Sequence, residues 1–333
     1  MRVLAATDKL KGTLSAADAC AAVGRAARAH GCDVVELPLA DGGEGTLDAL
    51  GGANRRSRVT GPLGEPVVGA WRLDDGEAVV EMAQAAGLVL AGGREGNDPW
   101  GATTRGVGEL VLLALDEGAR SVVVSVGGSA STDGGRGAYE VLAPHRQRLA
   151  GVELVVAADV TTPYLDAARV FAPQKGADAA LVERLTERLQ DTAAQLQADT
   201  GVDVRALPGS GAAGGLAGGL AALGARIVPG FDLVAGRLGL AAQVAAADLV
   251  VTGEGRLDAS SLAGKVVGGV LGLAGGTPVA VVCGTRDDVR VDAEIRCLAE
   301  AYGERASLHD TAACIEAAVS QLLSDRGQSR STT

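Results

Sequence analysis

Six short loops concentrate the residues that can do chemistry. Asp8-Lys9-Leu10-Lys11-Gly12 comes first, then Ala40-Asp41-Gly42-Gly43-Glu44-Gly45. The longest, Gly127-Gly128-Ser129-Ala130-Ser131-Thr132-Asp133-Gly134-Gly135, is followed by Asp159-Val160-Thr161, Pro173-Gln174-Lys175-Gly176 and Thr252-Gly253-Glu254-Gly255. Glycine beside Ser, Thr or Lys lets backbone N–H groups close on a phosphate, and a helix starting at the same point adds its dipole. Carboxylates at the same edge suit Mg²⁺, which takes one or two of them together with phosphate oxygens and water. One such loop by itself reads as a turn that needs glycine for positive φ. Six of them, each with an acid or a lysine, point to an anionic ligand.

The lysines sharpen this. Of 30 basic residues only four are lysine, at positions 9, 11, 175 and 265, and three of these adjoin a glycine. In a chain that otherwise uses arginine, a lysine marks a place for a compact ammonium, although a solvated side chain is the plainer alternative for each. No GxxxxGK[ST] occurs, so the chain is not a P-loop enzyme. A GxGxxG does occur, at Gly209, Gly211 and Gly214, with Asp232 near the distance expected of a ribose-binding acid. The run before it, VDVRALP, is short, charged and ends in proline, which leaves the motif without the strand a dinucleotide site needs.

Elements that would position these loops alternate along the chain. Strands are expected at Val3–Thr7, Val34–Leu39, Ser121–Val126, Leu154–Ala158, Asp248–Thr252 and Pro278–Cys283, so that the loops fall at strand ends, where α/β folds bind ligands. Ser15 and Asp18 form a capping box that opens a helix to about His30. Leu181, Leu185, Leu189 and Leu196 line one stripe of a helix over Ala179–Thr200, and another helix spans about Thr311–Leu323. Between Val67 and Met82 two short runs flank Asp74-Asp75-Gly76, a hairpin signal. That antiparallel piece implies a second domain inserted into the first. No internal repeat is evident.

Composition bounds the function. A chain of 333 residues exceeds the usual size of a single core, so two domains are expected. Only seven residues are aromatic and the net charge is −11, which argues against nucleic acid: stacking platforms and a basic face are both missing. MRVLAATDKLKG is no signal peptide and no apolar run is long enough to span a membrane. The five cysteines lack metal or disulfide spacing and read as reduced thiols, so the expected location is cytoplasmic. His30, His145 and His309 have no partners in sequence that suggest zinc or a nucleophilic triad.

Taken in order, the loops resemble those of the bacterial glycerate kinases. The family's D-S-F-K-G-S-L-S stands here as DKLKGTLS (Asp8 to Ser15), and its P-x-A-D-G-G-E-G-T as PLADGGEGT (Pro38 to Thr46). ATTRGVGEL (Ala102 to Leu110), GGSASTDGG (Gly127 to Gly135), VFAPQKGA (Val170 to Ala177), GSGAAGGL (Gly209 to Leu216) and ADLVVTGEGRLD (Ala247 to Asp258) follow in the family's order. Departures are Lys9 and Leu10 for Ser and Phe, Ala158 and Thr162 for Cys and Asn, and Ser260 for Gln. The region between Tyr139 and Glu153 is also shorter, as is that between Tyr164 and Arg169.

The resemblance implies an α/β fold of two domains. A flavodoxin-like, Rossmann-like parallel-sheet domain would be built from both chain ends (1–58 and 241–324), with an α/β domain inserted at 59–240 and a disordered tail at 325–333. It implies ATP-dependent phosphorylation of D-glycerate, 2-phosphoglycerate being favoured over 3-phosphoglycerate, with Mg²⁺. Phosphoryl transfer asks mainly for positioning and charge neutralisation. On that basis Asp133, Asp159, Lys11 and Lys175 are the expected catalytic residues, and Asp159 and Glu254 the expected Mg²⁺ ligands. Asp8, Asp41, Glu44, Arg105, Gly127, Gly128, Ser129, Gly211, Gly253, Glu254 and Lys265 would bind substrate or phosphate. Partners are the small-molecule substrate and ATP, with neither nucleic acid nor membrane; monomer and homodimer both stay open. The alternatives are a kinase for another small hydroxy acid or polyol, a dinucleotide-dependent hydroxyacid reductase, and a non-catalytic binding module.

Overall fold

Short valine-rich runs form the strands of this chain and the alanine- and leucine-rich stretches between them form helices. The computed structural model describes residues 1–331, with side chains described as far as Arg326. Its strands are β1 (Arg2–Ala5), β2 (Asp33–Glu36), β3 (Arg55–Thr60), β4 (Pro66–Asp74), β5 (Glu77–Glu81), β6 (Ser121–Ser125), β7 (Glu153–Ala158), β8 (Arg226–Pro229), β9 (Leu249–Leu257), β10 (Val279–Arg286) and β11 (Glu294–Cys297). They make two sheets, and the chain divides into two compact units: Met1–Asp41 with the chain from Phe231 onward, and Gly42–Gly230. The resemblance in sequence implies these boundaries at 58/59 and 240/241.

The first unit is a parallel sheet in the order β11-β10-β9-β1-β2. Counted within the unit this is the 2-1-3-4-5 order of flavodoxin-like folds, whose switch point lies between the first and third strands, here β1 and β9. Helix Ala16–Ala29 begins where the capping pair predicts: Ser15 Oγ accepts from the Asp18 N–H at 3.1 Å. It packs on the last helix, Thr311–Ser331; the first buries Ala and Val side chains in the shared core and the second Ile, Ala, Val and Leu. That helix runs through Ser324 to Ser331, where the polar composition predicts disorder, with Arg296 and Asp325 ion-paired at 2.8 Å; positions 332 and 333 lie outside the described residues.

The second unit is a mixed sheet in the order β3-β4-β5-β6-β7-β8. β3, β4 and β5 form an antiparallel meander, and β5 to β8 run parallel. The expected hairpin is there: Asp74 pairs Glu77 across Asp75-Gly76, both at positive φ (44° and 79°), as a two-residue turn of matching twist requires. Trp71, Met82, Leu110, Leu142 and Leu216 are fully buried in its main core. Helix Ala179–Thr200 has the predicted bounds, and Leu185, Leu189 and Leu196 are buried. The unit's ends meet, because a Cβ placed on Gly42 would lie 2.6 Å from Gly230 Cα. Among the described residues no helix is long and apolar enough to cross a membrane.

Candidate functional site

In the first unit the charged loops gather at the carboxyl ends of β1 and β9, the switch point of the sheet. The Asp8 N–H continues the ladder beyond β1 by donating to the Gly253 carbonyl at 2.9 Å, so Asp8 is fixed in the row of β9 residues that carries Glu254. Asp8 is buried, and burial pushes its carboxyl up to about 6; Lys9, 3.8 Å away, opposes this and Asp41 adds to it. Glu254 is pushed up to about 7, again chiefly by burial, against a hydrogen bond from Ser261 and with Asp8 raising it further. Its Oε1 is buried with no hydrogen-bond partner. Lys265, half-buried at the N-cap of helix Val266–Leu273, is close enough to lower both acids, and Asp41 is itself buried. Lys11 is exposed, its backbone N lying against Gly255.

The segment Thr252–Gly255, read from sequence as a loop after a strand, lies inside one. β9 runs on to Leu257 and pairs β10 through Cys283↔Glu254 and Arg286↔Leu257. Gly253 is glycine for packing: a Cβ there would run into the Val282 carbonyl. Among the described residues no three His, Cys, Asp or Glu side chains converge as a metal nest. Mg²⁺ on a nucleotide needs only one or two carboxylates.

In the second unit the chain after β6 turns through Gly127-Gly128-Ser129. Gly128 sits at φ 67°, and a Cβ on it would collide with the Glu44 carboxylate, so Glu44 lies directly over this turn. The loop carrying Glu44 is tied down by Glu81, at the end of β5, which accepts from Gly45 N–H (2.9 Å) and Leu47 N–H (3.2 Å). The N–H groups of Gly127, Gly128 and Ser129 make no hydrogen bond among the described residues. Lys175 reaches this turn from below. Only 2% exposed, its Nζ donates to Ser129 Oγ at 2.7 Å and to the Ser131 carbonyl at 2.6 Å. Burial holds its ammonium down at about 7, with Asp133 opposing the shift. Asn97 clamps the assembly by donating to the carbonyls of Ala130 (3.1 Å) and Lys175 (2.9 Å).

Asp133 is a hub of the fold. Oδ2 accepts from the N–H of Thr104 (2.8 Å), its hydroxyl (2.8 Å) and the Gly137 N–H (3.1 Å), and Oδ1 from the Gly135 N–H (3.0 Å). With both oxygens engaged it takes the Gly137 N–H in the first turn of helix Arg136–Leu142 and ties that turn to Thr104, which precedes helix Arg105–Asp116. Arg105 is exposed and pairs with Glu109 at 3.1 Å. Asp159 is half-buried just past β7.

Gly211 packs against the carbonyls of Thr162 and Pro163, and Gly214 against Ser131 and Thr132. A 3-10 turn, Val204–Ala206, precedes them in place of a strand, so the GxGxxG is a packing segment and the dinucleotide reading loses its structural context. Sequence reasoning passes over Thr104, Asn97, Glu81 and Arg188, whose guanidinium donates to the Thr132 carbonyl. Only Glu81 carries a signal, as an acid closing the apolar run Ala78-Val79-Val80.

The whole chain resembles proteins already described. Residues 3–145 and 141–326 match the model of the glycerate kinase family. An uncharacterized protein of Mycobacterium bovis is 45% identical over 300 residues, 85% of this chain and 79% of that protein. The glycerate 2-kinase of Escherichia coli K12 is 38% identical over 313 residues, 82% of each. The crystal structure of a candidate glycerate kinase 2 from Salmonella typhimurium LT2 superposes with a TM-score of 0.79 at 33% identity, over 98% of this chain and 99% of that one.

Proposed function

The chain belongs to the glycerate kinase family, and on that premise we propose that it moves the γ-phosphoryl group of ATP to a hydroxyl of D-glycerate, the 2-hydroxyl in preference to the 3-hydroxyl. The observation that carries this is the span of the family match, which takes in every charged loop of both sheet edges. Five free thiols accord with a cytoplasmic setting.

Roles follow from chemistry. Of the expected Mg²⁺ ligands, Glu254 is the one with an observation behind it, because its buried Oε1 lacks a partner and a hard cation takes such an oxygen; Asp159 rests on the resemblance alone. Mg²⁺ there would neutralise charge on the phosphates. Lys265 and Lys11 offset phosphate charge. The unbonded backbone N–H groups of Gly127, Gly128 and Ser129 offer donors to an anionic oxygen. Asp133, with four hydrogen bonds inside the protein, acts as a positioning residue. Arg105 can bind the glycerate carboxylate only by leaving Glu109, and Asp8, Asp41 and Glu44 set the charge around the turns they occupy.

The test is coupled ADP release with Mg-ATP and D-glycerate, beside L-glycerate, glycerol and tartronate, with the product assigned by enolase, which accepts 2-phosphoglycerate. Turnover with D-glycerate and an enolase-positive product is expected. Turnover with another hydroxy acid or polyol alone would replace the substrate, and ATP binding without ADP release would replace the kinase by a binding module.

A further inference from the structure

Lys175 carries its charge into the protein without a carboxylate bonded to it. Both hydrogen-bond acceptors of its Nζ, Ser129 Oγ and the Ser131 carbonyl, are neutral. A lysine buried for stability alone is ordinarily paired with an acid, since an unpaired buried charge is costly. Charged side chains lie on the helical turns packed against it, Arg94 and Glu95 on Gly93–Gly96 and Arg169 on Ala167–Phe171, and Glu44 lies over the Gly128 turn beside Ser129. Asp133 favours its charged form, and burial outweighs that. The group is therefore drawn down to about 7, behind a serine that is half-buried in the turn after β6 beside the exposed Gly128.

We propose that Ser129 and Lys175 are the proton-accepting pair of the phosphoryl transfer. The attacking hydroxyl of the acceptor gives its proton to Ser129 Oγ while Ser129 passes its own to the Lys175 Nζ lone pair. The acceptor oxygen forms its bond to the γ-phosphorus, the bond from phosphorus to the β,γ-bridging oxygen breaks, and ADP leaves with that electron pair. Lys175 ends as an ammonium and returns its proton to solvent through the same serine when product departs.

The geometry suits both halves of the cycle. In the ammonium form Nζ donates to Oγ across 2.7 Å; in the amine form the same separation carries the Ser129 O–H to the nitrogen. The Ser131 carbonyl orients the amine and Asn97 fixes the backbone on which Lys175 sits. A nucleophile's proton, a base in hydrogen-bond reach and a third group aiming the base is the arrangement of a general-base pair. This inference rests on the kinase reading above and names the base for it.

The experiment compares wild type, K175R, K175A and S129A in the ADP-release assay across pH 5.5–9. Wild-type kcat should rise roughly tenfold per pH unit below about 7 and level above it. Arginine keeps the charge but cannot accept the proton, so K175R should lose about a hundredfold or more in kcat with KM for ATP nearly unchanged. K175A should be rescued by added methylamine or ethylamine, and the rescued rate should rise with the amine's basicity. S129A should fall as far as K175R and lose the limb near pH 7. K175R within about threefold of wild type with the same profile would overturn the proposal, as would rescue of K175A by guanidinium equal to that by amine, or phosphate found covalently on Ser129. Should K175A fail to fold by circular dichroism, S129A, which leaves the lysine in place, decides alone. Absence of glycerate-dependent turnover in wild type would instead sink the kinase reading itself.

Discussion

Asp133 holds four donors at once, and what happens when it is removed separates a structural from a chemical role. Asp133→Ala would leave the N–H groups of Thr104, Gly135 and Gly137 without their acceptor, in places where water is largely excluded. Hydrogen bonds to a charged group contribute about 1.5–3 kcal/mol each, so denaturant melts should show a loss of roughly 3 kcal/mol or more. Full stability with lost turnover would restore Asp133 to direct chemistry. Lys175 makes a prediction about pH. Its folded pKa of about 7 lies below the ordinary lysine value of 10.5, so between these values the unfolded chain holds a proton that the native chain lacks. Unfolding then takes up a proton and stability rises with pH across that window, at up to about 1.4 kcal/mol per unit, while below 7 the cost is complete and constant. K175M should flatten the rise in urea midpoints between pH 7 and 10, and an unchanged slope would mean that the amine stays charged. The types of these residues were legible from their loops. Their partners were not, because Thr104 and Asp133, or Asn97 and Lys175, meet only after strands and helices between them have packed.

At the scale of elements, glycine has two opposite meanings that sequence cannot separate. Gly253 lies in β9 where a side chain would strike the Val282 carbonyl of β10, so Gly253→Ala should part the two central strands. A loss of about 2 kcal/mol or more in chemical unfolding is expected, within the range for overpacking a core. Gly236, in helix Gly230–Arg237, is exposed, keeps negative φ and has open space, with nothing within 4 Å, where a Cβ would stand. Gly236→Ala should therefore stabilise by about 0.5–1 kcal/mol in the same assay, through helix propensity alone. A Gly253→Ala variant at least as stable as Gly236→Ala would refute the close approach of β9 and β10. The long amphipathic helix, the serine cap and the Asp75-Gly76 hairpin could all be read beforehand, since each is written in residues a few positions apart. The strand status of Thr252–Leu257 could not: its glycines signal a loop locally, and only the ladder to β10 makes them a strand.

For the whole molecule, the second unit is one continuous segment whose ends, Gly42 and Gly230, touch, and it has a large core of its own. Such a segment can interrupt another domain without disturbing it. Residues 42–230 expressed alone should give a cooperative thermal transition, and a non-cooperative melt would show that the unit is not autonomous. The sequence by itself determined the chemistry on offer: glycine loops with acids and rare lysines, an alternating α/β pattern, an interrupting hairpin and the ordered motifs of a kinase family. These are local facts, fixed by propensity, periodicity and spacing. Where the inserted segment begins and ends was decided by tertiary structure, because it depends on which sheet each segment packs against. So was the difference between Asp133 as a fourfold-bonded hub and Lys175 as a buried amine behind Ser129. Burial and hydrogen-bond saturation depend on residues distant in the chain, and those exist as neighbours only in the folded molecule.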